Sequence, residues 1–171
     1  MGLRRPPRLR LDAPMHLPFR SRWGGSLTLL ACLLLAALPN RVAAAEFLVY
    51  FGTYTGKTSK GIYVSKFNAD TGRLGEPELA AETPSPSFLA LAPGGKHLYA
   101  VNEVNTFEGK PAGSVSAFRL SLPGGKLTAL NQVTSGGGAP CHVTVDASGK
   151  TVLVANYGGG SVAALRRAEG R

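Results

Sequence analysis

The chain has 171 residues, 44% of them hydrophobic and 17% charged, with a formal net charge of +9. That is room for one domain with a real core, and too little charge for a wholly disordered polymer. Seven arginines against one aspartate give residues 1–45 a charge of +6, which leaves +3 for everything from Glu46 onward. The basic excess is therefore N-terminal, and no cluster of Lys or Arg interleaved with aromatics follows it, so nucleic acid is not an expected partner.

The N-terminal excess has a different reading. Leu27 to Leu38 is a run of twelve residues without a charge, short of the ~20 needed to span a bilayer core. Arg20 and Arg22 precede it, Pro39 follows, and Ala43 and Ala45 place small residues three and one positions before Glu46. Basic flank, apolar middle and small-residue exit make a secretory signal, with cleavage expected after Ala45 and a second start offered by Met15. Export, to the periplasm or beyond, is the expected destination, with no stable membrane span; lipid attachment at Cys32, in Leu29-Leu-Ala-Cys32, is the alternative. Cys32 would leave with the leader and Cys141 would stand alone. One thiol closes no internal disulfide and builds no cysteine-rich zinc site, so a disulfide scaffold is ruled out and no metal is expected.

From Glu46 the chain alternates short runs rich in Val, Leu, Tyr and Phe with breaks of turn chemistry. In chain order the predicted strands are 48–53, 61–67, 78–82, 87–92, 97–102, 114–120, 127–133, 142–146, 151–156 and 161–165. The breaks carry Asp70-Thr-Gly72, Pro93-Gly-Gly95, Pro123-Gly-Gly125 and Ala147-Ser-Gly149. No stretch has a sustained helical period, so the domain reads as all-β.

A repeat sets the architecture. Pro86 to Asn102 aligns without a gap on Pro140 to Asn156, a spacing of 54, and Gly113 to Phe118 recurs as Gly160 to Leu165, a spacing of 47. Four strands in roughly 50 residues is the blade of a β-propeller. The units are 46–83, lacking an inner strand, 84–135, complete, and 136–171, cut short. Asn102 and Asn156 fall at matching positions and read as turn residues. Gly158-Gly-Gly160 reads as a tight connection between strands.

Phe51-Gly-Thr-Tyr-Thr55, Gly61-Ile-Tyr-Val64, Pro86-Ser-Phe88, Tyr99-Ala-Val-Asn-Glu103, Pro140-Cys-His142 and Val154-Ala-Asn-Tyr-Gly-Gly-Gly-Ser-Val162 stand in an order and spacing that resemble the opening blades of the seven-bladed propeller lactonases. That family includes bacterial 6-phosphogluconolactonases of propeller type and is similar to the carboxymuconate-cyclising enzymes. The resemblance implies about two and a half of seven blades. It also implies hydrolysis of a small sugar-acid lactone without metal or organic cofactor, as in carbohydrate metabolism of the pentose phosphate type.

Opening a lactone needs a group that activates water and donors for the developing oxyanion. The resemblance places the family's His-rich segment and pocket Arg and Glu in later blades, so the catalytic set is expected beyond Arg171. Two pocket candidates remain. His142, at the start of an inner strand, offers proton transfer or a hydrogen bond to the lactone, against a purely structural imidazole. Glu103, after the second strand, could face the same entrance, against a solvated loop carboxylate. Tyr54 and Tyr157 read as loop aromatics. The other readings of the whole are a secreted propeller scaffold without activity, or an inactive fragment.

Overall fold

The computed structural model describes residues 45–168. The expected leader, apart from Ala45, lies outside the described residues. Eleven strands form three antiparallel sheets, and among the described residues no helix is long and apolar enough to cross a membrane. The first sheet holds β1 (Glu46–Phe51), β2 (Gly61–Asn68), β3 (Arg73–Leu74) and β4 (Glu78–Glu82), with β1 on one side of β2 and β3 and β4 on the other. The second runs β5 (Leu89–Leu91), β6 (His97–Asn102), β7 (Ser114–Ser121), β8 (Lys126–Thr134) in order. The third holds β9 (Pro140–Val145), β10 (Thr151–Asn156) and β11 (Ser161–Arg166), with β10 in the middle.

These are consecutive propeller blades, one of them four strands wide in simple meander order. Two local differences from the sequence reading have plain causes. The two-residue β3 is additional: Asn68 Oδ1 accepts from the Thr71 amide at 2.9 Å, and the turn through Gly72 (φ 67°) folds the chain back onto β2. β5 is shorter than expected because Pro86 has no amide to donate and the Ser87 amide turns back to the Ser85 carbonyl at 2.9 Å. The Gly158–Gly160 connection is the tight turn between β10 and β11 that was expected.

The middle sheet explains the packing. Alternate residues of a strand point to opposite faces, and both faces of β6 are covered, so five of its six residues are buried. Leu98 and Ala100 face the first sheet, in a cluster with Ile62, Val64, Ala80, Phe118 and Leu127. Tyr99 and Val101 face the third, in a cluster with Ala92, Val115, Val143, Val152 and Val154. The described residues thus form two cores, each sealed between neighbouring sheets.

β8 adds a refinement. Leu127 pairs with Leu120 and Gln132 with Ser116, and both serve the first-sheet face. Their odd separation would put them on opposite faces of a regular strand. A β-bulge at Leu130–Asn131, opposite Ala117, absorbs the extra residue.

Asn102 and Asn156 are not turn residues. Each ends an interior strand of its sheet with its side chain buried. Asn102 Nδ2 donates to Thr83 Oγ1 at 2.7 Å and to the Pro84 carbonyl at 2.6 Å, both on the linker from the first sheet. Its Oδ1 accepts from Ser116 (2.6 Å), Gln132 (2.9 Å) and Ser114 (3.2 Å). All four hydrogen-bonding positions of the amide are accounted for, as burial requires. Asn156 Nδ2 donates likewise to the Ser135 carbonyl, at 3.0 Å, on the linker from the second sheet. Gly137 has no room for a Cβ, which would sit 2.8 Å from Asn156 Cβ and Nδ2.

Candidate functional site

The two sequence candidates are brought to one neighbourhood by the dipeptide Ser87–Phe88 at the entry to β5. Glu103 follows β6, its amide fixed by the Ser85 carbonyl at 2.9 Å. Its Oε2 accepts from Ser87 Oγ at 2.5 Å and from Tyr54 Oη at 2.8 Å. Next to Ser87, the Phe88 ring packs on the imidazole of His142, centroids 4.3 Å apart and planes at 45°. No hydrogen bond joins Glu103 to His142 among the described residues.

Hydrogen bonds pin the scaffold that holds this group. Ser85 and Ala139, each just before a proline, occupy the left-handed region at φ 39° and 46°, costly for residues with a Cβ. Ser85 is held by Thr55 Oγ1, which accepts from its amide at 3.2 Å, and by the Glu103 and Ser87 amides on its carbonyl. Ala139 takes the Tyr157 amide on its carbonyl at 2.9 Å and donates to Val104. The repeat thus recurs in backbone geometry: Glu103 and Tyr157 sit at equivalent positions, but only Glu103 carries a charge.

Chemically, the group is an acceptor flanked by donors and aromatic faces. Both neighbouring hydroxyls use Oε2, so Oε1 of Glu103 has no partner among the described residues. The hydrogen bond to Glu103, then partial burial and the carboxylate's charge, raise the Tyr54 phenol above its ordinary 10.0, so it stays a donor at any physiological pH. Tyr54 is 65% exposed and Phe88 40%, so the rings are open to a ligand. His142 is exposed as well, and borders a cleft of about 470 Å³ on the far side of the third sheet with Leu153, Ala155 and Val162. Cys141 is a free, half-buried thiol directed at the Ala155 carbonyl. No group of three or more His, Cys, Asp or Glu is placed to hold a metal among the described residues.

Tyr54, Ser87 and Phe88 were not singled out as site residues from sequence. Tyr54 lies 49 positions from Glu103, and only the folding of the first sheet against the second joins them. Tyr157, 81% exposed, has the loop placement expected of it.

Comparisons with known proteins bear on what such a group serves. The family model described as lactonase, 7-bladed beta-propeller, matches residues 48–171. A Bacillus subtilis protein named 6-phosphogluconolactonase is 36% identical over 117 residues, 68% of this chain and 32% of that protein. A Formosa agariphila protein of the same name is 36% identical over 113 residues, 64% of this chain and 30% of that one. The solved structure of the Pseudomonas aeruginosa periplasmic gluconolactonase superposes with a TM-score of 0.64 at 31% identity, covering 71% of this chain and 35% of that one. The chain spans about a third of the length of the curated relatives it matches. On the match over residues 48–171 and the blade architecture together, the chain belongs to the seven-bladed β-propeller lactonase family.

Proposed function

We propose that the protein hydrolyses the ester of a small sugar-acid lactone to the open acid, and that it does so as an exported protein on a substrate without phosphate. The single observation that carries the lactonase reading is the family match over residues 48–171. Water adds to the lactone carbonyl, the ring C–O bond breaks, and the ring oxygen leaves as a hydroxyl after taking a proton. In this reading Glu103 Oε1 accepts a hydrogen bond from a substrate hydroxyl, with Tyr54 and Ser87 fixing the carboxylate. Phe88 offers an apolar face to the sugar ring, and His142 beside it hydrogen-bonds the lactone or passes a proton.

Three observations support export and an unphosphorylated substrate. The leader pattern of residues 1–45 fits secretion, and the Pseudomonas relative is named a periplasmic gluconolactonase. A carboxylate at the pocket also repels a phosphate. The test, made on a form of the protein that also carries the later blades in which the catalytic set is expected, is acid release from glucono-1,5-lactone, with and without a 6-phosphate, followed in a pH-stat above the spontaneous rate. The expected result is acceleration of the unphosphorylated lactone, with KM raised about tenfold in Glu103→Gln by loss of a charged hydrogen bond. No acceleration of either lactone overturns the reading; preference for the phosphorylated one overturns its substrate.

A further inference from the structure

The core shared by the second and third sheets ends in basic side chains from three strands. Residues alternate between faces along a strand, and on β6 the face of Val101 and Tyr99 continues to His97. On β7 the face of Val115 and Ala117 continues to Arg119, directly opposite His97 in register. On β11 the face of Ala163 and Leu165 continues to Arg167, whose amide still pairs with the Lys150 carbonyl at 2.8 Å. Each strand thus puts a basic group where its apolar stripe calls for another Val or Leu. Gathered at one edge of a core, such groups repel one another unless something negative joins them.

No carboxylate of the protein joins them among the described residues. The ion pairs there link Lys60, Lys66 and Lys126 to Glu82, Glu46 and Glu78. Asp146, on the turn that leads into β10, spends its carboxylate on the Ser148 hydroxyl and on the Lys150 and Thr151 amides. Arg167 Nη1 reaches the Gly149 carbonyl of that turn at 3.5 Å. Burial first, and then the charges of Arg167, Arg119 and Lys96, hold the His97 imidazole below its ordinary 6.5. The three side chains line one cleft, with Val152 and Leu165 as its apolar wall.

From this we infer that His97, Arg119 and Arg167 form a site for a phosphate group, carried either by the free ion or by a phosphate ester. Each guanidinium presents a planar fork of N–H donors that two phosphate oxygens can take together, and a dianion balances both charges where a single carboxylate balances one. The His97 ring adds a further donor. The site lies at the end of β6 opposite to Glu103, roughly 20 Å along the strand. The inference does not rest on the lactonase reading.

The probes are inorganic phosphate and phenyl phosphate, titrated into the full 171-residue chain at about pH 7.5, where both are largely dianions. Sodium chloride holds the ionic strength constant, and binding is read by NMR from the His97 ring and the amides around Arg119 and Arg167. The expected result is a saturable shift with a Kd of about 1 mM or tighter. Binding should weaken about tenfold in Arg119→Gln and in Arg167→Gln, by loss of a charged hydrogen bond. It should be unchanged in Lys66→Gln, which removes a cation of the first sheet. Tighter binding of phenyl phosphate assigns the site to an ester whose apolar body rests on Val152 and Leu165; equal binding assigns it to the free ion. Shifts that do not saturate, that chloride produces equally, or that persist undiminished in both arginine variants each overturn the inference.

Discussion

At the scale of single residues, two polar side chains one position apart do opposite things. Asn102 is buried and consumed entirely by the protein, whereas the following Glu103 holds one oxygen back. The Tyr54 hydroxyl reports on that carboxylate. Its raised pKa comes first from donating to Glu103, so replacing the anion by a neutral amide in Glu103→Gln should move the phenol down toward 10.0, read by ultraviolet difference titration. The sign for folding follows. The folded protein keeps this proton to higher pH than the unfolded chain, so the contribution is whole below pH 10 and fades as pH rises through the folded value. A titration unchanged by Glu103→Gln would mean the hydroxyl does not bond to the carboxylate in solution.

Among the elements, β7 has the most at stake. Its Phe118 is 2% exposed in the core shared with the first sheet, and is among the largest fully buried side chains. Phe118→Ala should cost about 3–5 kcal/mol in urea unfolding, while Phe47→Ala in β1, 56% exposed, should stay within about 0.5 kcal/mol. Strand identities were legible because alternation and turn residues both announce them, and Pro93-Gly-Gly95 ends a strand whatever surrounds it. What alternation could not announce was the bulge in β8, since one extra residue between Leu127 and Gln132 looks like a loss of pattern until the partner strand is known. Nor could it show that Asn102 is interior: a polar residue at the end of an apolar run reads as the start of a turn unless its five hydrogen-bond partners, spread from Thr83 to Gln132, are seen together.

For the whole molecule, the repeat at 54 residues was the most informative sequence signal, because each unit buries its faces only against its neighbours. It placed His142 at the start of an inner strand and Glu103 after a second strand. It could not place Tyr54, whose contact with Glu103 crosses from one sheet to the next and leaves no periodic trace.

The two faces of β6 also decide how substitutions combine. Leu98 and Tyr99 are joined by a peptide bond yet belong to different cores. Truncating both should cost the sum of the single losses to within about 0.5 kcal/mol, as for sites with no shared partner. Leu98 and Ile62, distant in the chain but members of one cluster, should deviate from additivity by about 0.5 kcal/mol or more in a double-mutant cycle. Thermodynamic neighbourhood in this protein therefore runs across the sheets rather than along the chain, and adjacent positions in β6 can be altered as independent variables.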